Sequence, residues 1–199
     1  MTKVLFFILL ILAVWIFFIK DNSVKHAPGV LVPDLPLQEN IPSAKSFSFK
    51  GFTITPLAHF EIKARVLSRE DYSRGKEGEL SPVDLALGWK RMSDSAILSE
   101  LSISQSGRWY RWETEVLPIP RREIERHSAN MHMIPKDKAV QEVLERVRKG
   151  DVVYIRGKLV RVNAKEGWHW SSSLSRDDTG RGACEIIYVE EVDIQELYP

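Results

Sequence analysis

The residues with the greatest chemical reach in this chain are histidines, tryptophans and one thiol. The run HSANMHMIP carries His127 and His132, with His169 further along. His127 and His132 are five apart, which on a helix separates them by ~140°, so one helical face cannot present both to a metal. In a loop they could converge with His169, which makes these three the only metal candidates. Cys184 paired with one of these imidazoles would make a nucleophile if a cation or imidazole lowered its pKa. It opens an apolar strand instead, where cysteine commonly acts as a small buried hydrophobe. Asp177 and Asp178 sit in a turn-forming stretch with Gly180 and Gly182, which suits neither a glycosidase carboxylate pair nor a calcium loop. No nucleotide-binding or catalytic motif is present, so no catalytic residue and no cofactor is implied.

The aromatic residues point to binding. Trp109, Tyr110 and Trp112 lie on one segment and Trp168 and Trp170 on another. Strand positions two apart share a face, so Trp168 should project with Trp170, and Tyr110 with Arg108 and Trp112. Such pairs form platforms for sugar rings, peptides or bases, with Arg108, Arg111, His169 and Arg176 as polar partners. The competing role for these indoles is to fill the core of a small sheet. The expected ligand site is therefore Arg108, Trp109, Tyr110, Trp112, Trp168, His169, Trp170 and Arg176.

The elements that must position them follow from periodicity. Phe60, Ile62, Ala64 and Val66 alternate with charged residues, the pattern of a half-buried strand; with residues 47–54 this predicts two strands around Thr55-Pro56. Residues 69–80 read as a long polar loop. Ser81-Pro82 reads as a helix start, with Leu85, Leu87, Trp89 and Met92 on its apolar side. A short helix capped by Ser93 or Asp94 follows, then a strand through Trp112 and a short helix over 121–127. Residues 136–149 form the clearest helix, with Val140, Val143, Leu144 and Val147 on one stripe, Asp137 at its start and Gly150 at its end. Residues 151–163 and 184–194 read as strands, and Gly157 marks a bulge.

At the N-terminus, residues 4–19, from Val4 to Ile19, are wholly apolar and bounded by Lys3 and Lys20. As a helix they span about 24 Å, slightly under the ~30 Å hydrocarbon core, a gap that snorkelling lysines can close. No small-x-small cleavage site follows, so an uncleaved transmembrane anchor is expected. The expected organisation is an anchor over 1–20, a proline-rich linker over 21–46 and one α+β domain over 47–199. Part of the linker would alternatively pack on the domain as an irregular arm. The fold expected is a curved or barrel-like antiparallel sheet with three or four inserted helices.

Composition narrows the partners. Of 199 residues, 44% are hydrophobic and 28% charged, ordinary for a globular protein. The chain has 28 basic and 27 acidic side chains; setting aside Lys3 and Lys20 leaves 26 against 27. A neutral body lacks the basic excess of most nucleic-acid binders. A single cysteine excludes an intrachain disulfide framework.

Two resemblances add to this. The run 150–162 (GDVVYIRGKLVRV) is similar to the central strands of OB-fold domains, and Ile186 to Val192 to a closing strand. The runs 68–73 (SREDYS), 81–89, 103–110 (ISQSGRWY), 127–135 and 168–176 resemble a family of bacterial single-pass membrane-anchored proteins. That resemblance implies an anchored bacterial protein and no particular chemistry. The function expected is an inner-membrane, single-pass protein whose periplasmic domain binds a cell-envelope protein or glycan. The alternatives are an enzyme built on His127, His132, His169 and Cys184, and a cytoplasm-facing, OB-like nucleic-acid binder using Arg156, Lys158, Arg161 and the tryptophans.

Overall fold

The computed structural model describes residues 22–175 and 184–196. The expected anchor, with Val4 and Ile19, lies outside these residues, as do Arg176 and the Asp177–Asp178 turn. Among the described residues, no helix is long and apolar enough to cross a membrane.

The fold is α+β, a sheet with four short helices. Its strands are β1 (Leu37–Asn40), β2 (Phe47–Phe49), β3 (Phe52–Asp71), β4 (Val83–Gly88), β5 (Ser102–Ser106), β6 (Trp109–Glu113), β7 (Ser128–Pro135), β8 (Val152–Asn163), β9 (His169–Ser171) and β10 (Glu185–Gln195). The helices are α1 (Gly75–Leu80), α2 (Ser95–Leu98), α3 (Arg121–Arg126) and α4 (Lys138–Arg146), with a 3-10 turn at Lys90–Ser93.

The main sheet runs β1-β3-β4-β7-β10-β8-β9 and turns back on itself, because β3 also pairs with β8. A ring β3-β4-β7-β10-β8 results, antiparallel throughout except for the parallel pair β7–β10. β3 makes this closure. Its first part pairs with β8 from Thr53↔Asn163 to Arg65↔Val152, and its last part with β4 from Arg65↔Gly88 to Asp71↔Val83. The two strands expected around Thr55-Pro56 are thus one strand, and Pro56 is accommodated at a register shift where it owes no ladder hydrogen bond.

Inside the ring lie Phe60, Ile62, Ala64, Leu85, Leu87, Met131, Met133, Ile155, Leu159, Ile187 and Val189. The longest of the helices, the amphipathic α4, adds Val140 and Leu144 to this core. Asp137 caps it, accepting from the Val140 N–H at 2.9 Å. Asp137→Ala should therefore cost about 1 kcal/mol in chemical denaturation, with the midpoint shifted and the slope unchanged. The helix ends at Arg146, earlier than the stripe implied, and a turn over 148–151 with Gly150 at φ +93° leads into β8.

Other stretches also differ from expectation, among them 103–115, expected as one strand and found as the β5–β6 hairpin. Residues 83–88 are strand β4, not a helix: Ser81-Pro82 closes the preceding loop, and period-two Val83, Leu85 and Leu87 line the core. The expected loop 69–80 is divided between the end of β3 and α1. HSANMHMIP is mostly strand β7, buried along both faces. Residues 22–46 lie along the domain as an arm. Val32 is fully buried, Val24 N–H donates to the Lys149 carbonyl at 2.8 Å, and β1 pairs with β3.

Candidate functional site

In the pairing of β4 with β7, Asp84 stands opposite His132. Val83, Leu85, Met131 and Met133 point into the ring core, so by strand alternation Asp84, Ser128, Asn130 and His132 share its outer face. That face is covered, and the cover is the β5–β6 hairpin.

The hairpin's register, Ser106↔Trp109, leaves the two-residue turn Gly107-Arg108. Both residues have positive φ, +57° and +69°, the geometry of a type I′ turn. Glycine tolerates this; for arginine the left-handed region costs about 1–2 kcal/mol. The contacts of Arg108 explain why it is held there. Its backbone N–H donates to the Tyr72 hydroxyl at 2.8 Å. Its guanidinium donates to Asp84 Oδ1 at 2.5 Å and to the Ser81 carbonyl at 2.9 Å, with Glu77 at 3.9 Å. The same group stacks 3.7 Å from the Tyr72 ring centre and 5.6 Å from that of Trp170.

Further back the hairpin is fastened by Asn130, which donates to the Arg108 carbonyl at 3.1 Å and accepts from Gln105 at 2.6 Å. Tyr110 closes the seam, its hydroxyl donating to Ser128 Oγ at 3.2 Å. Burial pushes the Tyr110 hydroxyl up to about 12, against a smaller opposing effect of the Ser128 bond. An acid whose folded pKa is raised stabilises the fold fully below its unfolded value near 10, and that contribution is lost as pH rises toward 12. Stability should fall across pH 10–12, and Tyr110→Phe should flatten that fall in pH-resolved urea titrations. An unchanged slope would place the ionisation elsewhere.

His132 sits beneath this clamp with its side chain 2% exposed. Its Nδ1 lies 2.9 Å from Asp84 Oδ1 but off the line of a hydrogen bond, and its ring centre is 4.5 Å from that of Trp170. Trp170 on β9 and Trp168 just before it have ring centres 6.0 Å apart, and Trp168 meets Phe52 edge-on. Asp84 Oδ2 and Ser81 Oγ are buried without a hydrogen bond among the described residues.

No family model, no curated protein and no solved structure matches this sequence. What the site does must therefore be argued from its own geometry.

The expected site residues divide into three groups. Arg108 meets Trp170, which in turn neighbours Trp168, so the two aromatic segments are joined through a cation rather than through stacked indoles. Tyr110 and Trp112 face inward with Ile97, Leu98 and Ile103 against the Leu67–Met92 cluster, so they serve the core side of the hairpin. Trp109 is 38% exposed, and His169 is also exposed.

Of the metal and nucleophile candidates, His132 alone contacts Asp84. His127 ends α3, where burial holds its imidazole below the usual value, and Cys184 precedes β10 with its carbonyl accepting from Ser173 N–H. Among the described residues no group of three or more His, Cys, Asp or Glu side chains is placed to hold a metal. Of the cations of the nucleic-acid reading, Arg156 and Lys158 pair with Glu191 and Glu190 on β10, at 2.6 and 2.7 Å. A carboxylate beside an imidazole can orient a general base. Here both are sealed under Arg108 and Trp170, and what the arrangement holds is a guanidinium.

Tyr72, Ser81 and Asp84 were not legible as site residues from types and spacing. The available signal was Asp84 itself, a carboxylate within the apolar run VDLALG, which is costly to bury unless a cation meets it.

Proposed function

We propose that the chain is a membrane-anchored, extracytoplasmic binding module with an OB-like barrel, which holds a cell-envelope protein or polymer without catalysis of its own. One observation carries this reading. The β3–β4 connection (Tyr72, Ser81), the β8–β10 connection (Trp168, Trp170) and the β5–β6 tip (Arg108) converge on one side of the ring. The ring order resembles that of OB barrels, which take oligosaccharides and oligonucleotides between the corresponding loops. A tryptophan pair beside a fixed guanidinium suits a sugar ring or a polar polymer chain. The neutral body and the engaged Arg156 and Lys158 weigh against a phosphate backbone as the ligand. Support for the anchor comes from the apolar run 4–19 and the resemblance to anchored bacterial proteins.

The test has two parts. A reporter active only in the periplasm, fused after Pro199, should be active. The full chain should co-sediment with purified peptidoglycan sacculi, and a Trp168→Ala, Trp170→Ala double variant should lose at least about tenfold of that binding, each stacked ring contributing ~1 kcal/mol or more. A cytoplasmic reporter signal, or salt-sensitive binding to oligo(dT) in place of sacculi, would overturn the proposal.

A further inference from the structure

A second feature stands apart from the Trp170–Arg108 cluster. Where the arm crosses the start of β8, Ser23 to His26, β3, the 95–103 segment and Gly150 line a half-open cavity of about 300 Å³. Its lining includes Lys25, His26, Arg65 and Lys149, and no acidic residue. Val66 and Leu98 contribute apolar wall.

Arg65 is the informative member. It stands where β3 changes partner, paired with Gly88 on one edge and Val152 on the other. It is only 8% exposed, donates to the Ser93 carbonyl and Ser95 Oγ at 3.0 and 2.8 Å, and makes no ion pair among the described residues. Buried arginines are normally paired, because an uncompensated charge in a low-dielectric site is costly. Burial lowers the Arg65 pKa, and Asp94, outside the cavity lining, offsets this only in part.

The arm wall is built to fit. Val24 N–H donates to the Lys149 carbonyl, and His26 Nε2 lies 2.8 Å from the Gly150 carbonyl. A Cβ at Gly150 would come within 1.9 Å of the Val24 carbonyl oxygen, so only glycine admits the arm.

We infer that this cavity is an anion site for a phosphate carrying an apolar substituent, with Arg65 as its buried partner and Lys25 and Lys149 as exposed cations. The cavity volume matches the lower range of small-ligand sites, and a guanidinium is the side chain best matched to phosphate. Two sources share this chemistry: a phospholipid headgroup and a soluble phosphate compound. The lipid source rests additionally on the anchor reading, since Ser23 follows the apolar run by only four residues. Cations next to a membrane span attract anionic lipid headgroups.

Hydrogen exchange on the full chain decides it. The protein is placed in phosphatidylcholine nanodiscs, with or without about one third phosphatidylglycerol, and separately with added inorganic phosphate; peptides over 22–26 and 147–151 are read. Anionic discs should slow exchange of both peptides at least about tenfold relative to neutral discs. The Lys25→Glu, Lys149→Glu double variant, which changes only exposed side chains, should abolish the slowing with the unfolding midpoint unmoved. Arg65→Gln should do the same if it folds; if it does not, the double variant decides. Equal slowing by inorganic phosphate in neutral discs keeps the anion site and assigns it a soluble ligand. No slowing in any arm overturns the site, and so does slowing that survives the double variant.

Discussion

Asp84→Ala is expected to destabilise the protein by about 3 kcal/mol, because it leaves the Arg108 guanidinium buried against Tyr72 and Trp170 with only the half-exposed Glu77, 3.9 Å away, as a counter-charge. Asp84 is fully buried and the Arg108 side chain only 14% exposed, so neither can turn to water without moving the hairpin. Arg108→Ala should cost less: the hairpin tip is relieved of its left-handed arginine and can lift to let water reach Asp84. Removing both should cost less than the sum of the two, with a coupling of roughly 0.5–3 kcal/mol in a double-mutant cycle. Additive losses would mean the pair does not meet in solution. The same variants test the cover over His132. Its imidazole should resist diethyl pyrocarbonate in the parent and react in Arg108→Ala.

Gly157→Ala should cost about 3 kcal/mol for a different reason. β10 shifts register between Val189 and Glu191, and this brings its backbone onto β8. A Cβ at Gly157 would stand 2.2 Å from the Tyr188 carbonyl oxygen, a main-chain atom held on both sides by the ring. Relief requires β10 to move away from β8, which loosens Leu159, Ile187 and Val189 together. Overpacking of this kind costs up to ~3 kcal/mol. Thermal unfolding should report it as a fall of roughly 6–12 °C for a chain of this size. A midpoint within 2 °C of the parent, by the same estimate, would mean the bulge relaxes freely.

How much of this could be read in advance depended on how many faces of each strand are covered. The stretch around Phe60 to Val66 keeps one wetter face, so apolar and charged residues alternate and the strand is plain. α4 shows its stripe and its Asp137 cap for the same reason. β4 and β7 are buried on both faces, one by the core and one by the β5–β6 hairpin, and strands covered twice lose their alternation. VDLALG then looks like a helix behind Ser-Pro, and SANMHMIP like a loop. The site suffered the same loss. Trp168 and Trp170 were legible as a pair because they are two apart in sequence where the chain enters β9. Arg108 was placed on the face of Tyr110 and Trp112, although a turn with positive φ turns it away toward Asp84, 24 residues off in sequence. Nothing local in the sequence records such a partner.

The closure of the ring by β3 and β8 also sets the order in which the chain can fold. Thr53 meets Asn163 and Arg65 meets Val152, so β3 is complete about a hundred residues before its principal partner exists. Pairing across such a separation is slow, and a long strand waiting with one apolar face is exposed to association with other chains. Two short neighbours act in that interval. β2 pairs with Phe52–Ile54 across a tight turn, and β1 pairs with Ala58–Glu61 from a few residues upstream. Both form from local sequence and occupy the edge of β3 that β8 does not use. β1 adds little to the finished core, being exposed along its length, whereas β2 sets Phe47 and Phe49 edge-on to Tyr188. What the two share comes earlier, as guards that leave the longest strand a single open edge until the one partner able to complete the ring arrives.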